Sequence, residues 1–300
     1  MHAVDFPDHL AASFALADTG AAPLLGLATA GGDLCENLAE VPADAKYLAV
    51  RGKARGLELL NRLSSLEAVW ASGITPMLIN GLAALPRLRA LNLYQVGRTD
   101  LTPVGRLATL EHLLIGWANH LTDLSWLSEL PRLRTLVIGD AKRLNLATLP
   151  TLPMLEALEL GGGMWTTLKL ESLEPLSRLS ALKYLALSSI SVEDGSLANL
   201  LAALPALQTF SAPNIFDVDE SGRAAGLRPD LEASVLSPIF AEARSDVDGK
   251  PCFPCRSCAA PMLMLTGRRA PLRCPRCDAL RIEKHVARWE LARAAAALGR

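Results

Sequence analysis

Between Leu66 and Ala212 the apolar positions repeat one phrase: an apolar residue at position 1, again at position 4 and again at position 6. It reads Leu66-Val69-Ala71, Leu88-Leu91-Leu93, Leu110-Leu113-Ile115, Leu133-Leu136-Ile138, Leu155-Leu158-Leu160, Leu182-Leu185-Leu187 and Leu207-Phe210-Ala212. The starts lie 22, 22, 23, 22, 27 and 25 residues apart, and a degenerate copy sits around Leu48 and Val50. Positions 4 and 6 alternate as a strand does, with both side chains on one side. Nine, six and three residues before each position 1 stand further apolar residues, from Leu57, Leu60 and Leu63 to Leu173, Leu176 and Leu179. A spacing of three suits a 3₁₀ turn or a short helix. Each unit therefore predicts a strand, a turn and a short helical return, and the fixed period predicts a solenoid. About six inward side chains, at roughly 1.5–3 kcal/mol each, cannot offset roughly 1–2 kcal/mol of ordering cost per residue in one unit. The units must stack, completing one another's burial.

The segment Leu121-Thr-Asp-Leu124-Ser-Trp-Leu127-Ser-Glu-Leu130-Pro-Arg-Leu133, echoed by Asp100-Leu101-Thr-Pro-Val104, resembles the leucine-rich repeat family, in particular its 22-residue subtype typified by internalins. The resemblance covers about residues 45–215. It implies an α/β solenoid with a curved parallel sheet on its concave side, a bacterial-type protein and a binding scaffold, not an activity. The family's usual Asn three residues after position 6 is replaced here by Ile74, Val96, Ala118 and Ala141, so the turns must satisfy their backbone differently.

Strand alternation sends positions 3, 5 and 7 to the concave face. Trp70, Asn92 and Leu114 begin its central column, with His112 and Tyr94 beside them and Trp117 and Asp140 one step beyond position 7. Three of the chain's eight Trp and Tyr residues gather there, as residues that dominate interfaces do. Trp70, Asn92, Tyr94, His112, Leu114, Trp117 and Asp140 are the candidate contacts for a protein or peptide; outward Leu114 argues against a polar small ligand. The alternative is that Trp70 or Trp117 folds over a repeat edge or packs against the N-terminal cap. Gly161-Gly162-Gly163 lacks a P-loop's Gly-Lys-Ser/Thr and reads as turn chemistry. The five histidines show no metal spacing, and no serine sits in a G-x-S-x-G, so an enzyme would need a dispersed site that spacing does not reveal.

Composition changes this picture at the C-terminus. The net charge is −1, but residues 251–300 hold ten Arg or Lys and three Asp or Glu, leaving −8 for the rest. Five of the six cysteines fall there as well. Cys255-x2-Cys258-x15-Cys274-x2-Cys277 has four-cysteine zinc spacing, and with Met262–Leu272 between the pairs it resembles a zinc ribbon. Cys252 could replace Cys258 in the set, making Cys252/Cys255 the first pair. Four thiolates imply one structural Zn²⁺ per chain with no open position. Clustered thiols without a signal peptide or an apolar span place the expected protein in the cytoplasm, with no membrane partner.

Residues 279–298 read as a helix with Ile282, Val286, Trp289 and Leu291 on its apolar side and Arg281, Lys284, Arg288 and Arg293 around the rest. The expected organisation is an N-terminal cap over 1–44, the solenoid over 45–216, an acidic linker or C-terminal cap over 217–249 and a zinc ribbon with a basic helix over 250–300. A short helix is expected around 231–243. The functional expectation is a non-enzymatic protein-interaction scaffold with the zinc module as a second docking element. The alternative is nucleic-acid binding by the ribbon and basic helix.

Overall fold

A computed structural model describes residues 34–163, 165–194, 196–242 and 253–299. Most of the expected N-terminal cap, and Cys252, lie outside the described residues. The described chain forms two compact units, one running to Leu170 and resuming over Ala181–Ile190, the other comprising Glu171–Ser180 and the residues from Ser191 onward.

In the first unit each leucine phrase is one rung of a parallel sheet. Its strands are β1 (Cys35–Asn37), β2 (Tyr47–Arg55), β3 (Ala68–Ser72), β4 (Ala90–Tyr94), β5 (His112–Ile115), β6 (Thr135–Ile138) and β7 (Ala157–Gly161). The longer rungs add β9 (Tyr184–Ser188), and also β8 (Leu168–Ser172) and β10 (Ile190–Asp194), which pair with each other and run past the bounds of the first unit. The order β1-β2-β3-β4-β5-β6-β7-β9 follows the chain. From β2 to β9 equivalent positions stand side by side without slippage, as in Leu48↔Val69↔Leu91↔Leu113↔Leu136↔Leu158↔Leu185, whereas β1 shifts register on β2. Positions 1, 4 and 6 are buried in every rung. So are the return residues, which form 3₁₀ turns at Leu57–Arg62, Thr102–Arg106, Ser125–Glu129 and Leu146–Thr148 and helix α1 (Pro76–Leu82). This is a leucine-rich repeat solenoid.

Two local devices take the place of the missing Asn. The residue after position 7 adopts a left-handed backbone at Gly73, Gln95, Trp117, Asp140 and Ser189, turning the chain out of its strand. The next amide then reaches the neighbouring rung: Ile74 N donates to Gln95 O, Ala118 N to Gly139 O and Ala141 N to Gly161 O, at 3.2–3.3 Å. At the returns, Asp100, Asp123, Asn145 and Ser172 each accept the amide two residues on, opening the 3₁₀ turn with a side-chain cap.

Position 2 carries a charge ladder that the leucine pattern conceals. Lys46, Glu67, Arg89, Glu111, Arg134, Glu156 and Lys183 alternate in sign along the strand entrances. Lys46 pairs with Glu67 at 3.3 Å, Arg89 with Glu111 at 2.7 Å, and Glu156 with both Arg134 and Lys183 at 3.2 Å. Loss or duplication of one rung would set like charges together, so the ladder favours this order of rungs. The Arg89 hydrogen bonds hold the Glu111 carboxyl below its usual range. For Glu156, burial works in the opposite direction, but bonds from Lys183 and Arg134 prevail and hold it low.

The second unit packs the acidic segment, the cysteine module and the C-terminal helix together. Helix α2 (Leu197–Ala202) and β11 (Thr209–Ser211) end the repeats; α3 (Val218–Leu227) follows. Glu220 accepts the Ala198 amide at the start of α2, while the buried Arg228 donates to the carbonyls of Leu201 in its last turn and of Leu204 and Leu207 beyond it. Acid at the N-terminus and base at the C-terminus both match the helix dipole. The helix expected around 231–243 lies earlier, at Val218–Leu227; its place is taken by a 3₁₀ turn at Ser234–Leu236 and, after Pro238, by β12 (Ile239–Glu242). Small residues explain the shift. A Cβ on Gly222 would crowd the Trp289 carbonyl oxygen, and one on Gly226 would overlap that of Arg293. The segment 218–227 thus packs as a helix directly against α4 (Ala279–Leu298).

Because the Glu111 and Glu156 carboxyls are depressed, their contribution is complete above the usual carboxylate pKa of about 4.3 and lost as the pH falls through the lower folded values. Glu111→Gln/Glu156→Gln should cost about 1 kcal/mol at neutral pH and progressively less as the pH falls below about 4, read from urea unfolding across that range.

Candidate interaction face and metal centre

The sheet's outer face, turned away from the leucine core, carries the candidate contacts. Trp70, Tyr94 and Trp117 stand on successive rungs and touch: the Trp70 and Tyr94 rings stack at 6.2 Å with 26° between planes, and Tyr94 meets Trp117 at 5.3 Å and 44°. The left-handed turn at residue 117 brings its indole beside Tyr94. Accessibility falls along this ladder from Trp117, 46% exposed, through the half-buried Tyr94 to Trp70 at 6%.

The face is more closed than an open row of side chains. Trp70 packs with Ala49, Leu34 and Tyr94. Asn92, His112 and Leu114 are buried as well, Leu114 in a cluster with Val137, Ala157, Tyr184 and Ala186. Rungs about 4.8 Å apart crowd neighbouring columns over one another. His112 Nδ1 lies 3.1 Å from Thr135 Oγ1. Trp70 Nε1 and both polar atoms of Asn92 are buried without a hydrogen-bond partner among the described residues. They are adjacent, because Trp70 is in register with Asn92. Asp140 is half-buried at its turn, where a Cβ on Gly163 would overlap its carboxylate, so the glycine run is there for close packing.

This face also holds a buried carboxylate beside a phenol, and a strand extension that the sequence reading missed. Glu159 and Tyr184 are buried on it, and burial first, then the Glu159 carboxylate, push the Tyr184 phenol up. Strand β2 also runs four residues past the position matched by Ser72, presenting exposed Arg51, Lys53 and Arg55 at alternate sites. They line a cavity of about 720 Å³ with Glu36, Ser72 and Gln95. The signal was the polar-small-polar alternation Arg51-Gly-Lys-Ala-Arg55, obscured by the degeneracy of its repeat.

The metal candidates come together in the second unit. β12 pairs antiparallel with β13 (Leu263–Leu265), and β13 with β14 (Leu272–Arg273), so the segment before the cysteines supplies one strand of a three-stranded ribbon. The knuckle Cys255–Cys258 precedes β13, and Cys274–Cys277 leads from β14 into α4. The four sulfurs lie within 4.8 Å of one another: Cys255–Cys277 at 3.8 Å, Cys258–Cys277 at 3.6 Å and Cys258–Cys274 at 3.4 Å. A disulfide requires about 2.05 Å. Tetrahedral thiolates about 2.3 Å from one ion stand about 3.8 Å apart, so this donor set fits a metal ion. Amides of Ser257 and Cys258, with the Cys274 thiol, donate to Cys255 and lower its pKa to about 6; the sulfur contacts of Cys277 with Cys258, Cys274 and Cys255 push it up to about 12. Asp278 accepts the Cys274 amide and receives Arg273 and Arg281, anchoring the second knuckle. Asn214 ties β13 to the repeat end by accepting from the Gly267 amide and donating to Leu265 O.

No family model matches this chain, and no curated protein does. Three solved structures are similar to part of it. An internalin (inlF) from Listeria monocytogenes is 20% identical, over 62% of this chain and 64% of that one, at a TM-score of 0.45. A leucine-rich repeat protein of Leptospira interrogans is 20% identical over 63% and 45%, at 0.46. The TLR13–ssRNA13 complex is 19% identical over 64% and 29%, at 0.48. The chain spans less than two thirds of each of these three proteins. No described helix is long and apolar enough to cross a membrane.

The burial pattern is open to a direct check. Iodide should quench Trp165 and Trp117 emission and spare Trp70, Trp126 and Trp289, so Trp117→Phe/Trp165→Phe should abolish most quenching. Substantial residual quenching would mean an accessible Trp70.

Proposed function

We propose that this protein is a non-enzymatic interaction scaffold that takes a protein or peptide on the outer face of its first rungs, with the cysteine module as a second docking element. The observation that carries the reading is the Trp70–Tyr94–Trp117 ladder, which crosses three rungs and opens to solvent at its end. Linked aromatic rings offer a large contact area at little entropic cost. Trp70 Nε1 and the Asn92 amide, without a partner among the described residues, suit a ligand that supplies both acceptors and donors, as a peptide backbone does. Arg51, Lys53 and Arg55 at the rim favour acidic side chains in that partner.

In the module, Cys255, Cys258, Cys274 and Cys277 would hold one Zn²⁺ with a closed set of thiolates, a structural ion that supplies folding free energy and no reaction site. Thiols free of disulfides among the described residues suit a reducing cytoplasm. The alternative, nucleic-acid binding by the ribbon and basic helix, has fewer free cations than the sequence promises. Arg288 is engaged by Asp219, Arg281 by Asp278 and Arg293 by Glu290.

Affinity capture from the native cell with Tyr94→Ala/Trp117→Ala as control should recover at least tenfold less of the partner, at unchanged circular dichroism. Equal recovery would refute the assignment of this face. Elemental analysis of reduced protein should find one zinc per chain, lost in Cys274→Ser/Cys277→Ser together with the native Trp289 emission. Metal-free protein with native emission would refute the structural ion.

A further inference from the structure

Helix α4 has two apolar faces, and the second unit covers only one. Trp289 is buried, its indole N–H donating to Ser221 Oγ at 2.9 Å, with half-buried Ile282, Val286, Ala292 and Ala296 on the same side. Leu291, expected with them, points elsewhere: Leu280, Leu291 and Leu298 are large apolar side chains left well exposed. At about 100° per residue, Leu280 and Leu298 coincide, Leu291 lies about 20° away, and Trp289 lies about 180° from Leu280. Exposed Ala287 and Ala294 complete the stripe along the outer side of the helix.

The stripe has a heptad register. With Lys284, Leu291 and Leu298 at position a and Leu280, Ala287 and Ala294 at d, Glu283 and Glu290 fall at g, and Arg281 and Arg288 at e. One flank is acidic and the other basic. Side by side in parallel, two such helices place g of one against e of the other, Glu283 facing the second copy's Arg288. Antiparallel helices would set acid against acid and base against base. Arg288 already holds Asp219 at 2.7 and 2.5 Å on the side toward α3, so the added carboxylate would join an existing ion pair.

We propose that the outer face of α4 binds a second copy of this chain as a short parallel coiled coil. The proposal rests on reading the cysteine module and its helix as a docking element, and it names the partner. The contact is limited by alanines at d and a lysine at a, so it is a reversible association, and the charged flanks set its orientation more than its strength.

Sedimentation of the purified full-length, metal-loaded chain tests it. Dimers should form reversibly within a range of about 1–100 µM, and Leu291→Glu/Leu298→Glu should weaken them at least tenfold while leaving helicity and bound metal unchanged. Glu283→Arg should weaken them, and Glu283→Arg/Arg288→Glu should restore them. Ala294→Cys should oxidise to a covalent dimer that the chain without this substitution does not form. A monomer throughout the range overturns the proposal and leaves the stripe to another partner. A dimer indifferent to Leu291→Glu/Leu298→Glu also overturns it, and a dimer that Ala294→Cys fails to cross-link overturns the parallel register. Loss of dimers with cellular capture intact defeats this inference alone; loss of aromatic-dependent capture with dimers intact defeats only the assignment of the sheet face.

Discussion

Each rung of the first unit completes the burial of the next. A leucine at position 4 or 6 has no core of its own, since its rung is one chain thick, and it leaves water only because an equivalent side chain lies in register on either side. That single requirement fixes the rest: parallel strands in chain order, returns short enough to repeat every 22 residues or so, and an outer face presenting columns of side chains. Backbone hydrogen bonds add little specificity here, because every strand could pair with any other. The charge ladder at position 2 is what distinguishes odd from even rungs, and the left-handed exits and capped returns keep each rung the same height.

A stack held by its neighbours must end somewhere. At the last return, Glu220 accepts the Ala198 amide and Arg228 donates to the carbonyls of Leu204 and Leu207. Helix α3 that carries them is pressed onto α4 through Gly222 and Gly226, and α4 grows directly from the second cysteine knuckle. The metal-binding candidate, the terminal helix and the segment bearing Glu220 and Arg228 therefore form one packed assembly. Loosening the thiolate cluster would be felt at Trp289.

Much of this was legible because it is local. Leucines at fixed spacing report burial without knowledge of what lies opposite, and Cys-x2-Cys pairs report a convergent thiolate set from chain geometry alone. What was misread depends on distant neighbours. The acidic stretch after 217 gave no periodic cue to its helix, whose position follows from the fit of small residues against α4. Leu291 was grouped with Trp289 because both are apolar, although they sit on opposite sides of the helix. Trp70, Asn92 and Leu114 do project outward, as strand alternation requires, but their burial is set by adjacent columns that periodicity does not describe. Arg51, Lys53 and Arg55 belong to a strand whose repeat is too degenerate for the pattern to register.

Excision of whole rungs tests the stacking claim most directly. Removing residues 88–132 deletes two complete units and brings Glu67 beside Arg134, preserving the alternation of charge. If each rung is completed by any equivalent neighbour, the shortened chain should remain monodisperse at low concentration, with proportionately reduced sheet signal and a single cooperative unfolding transition. A chain that aggregates, or loses its structure gradually in urea without a transition, would contradict the account.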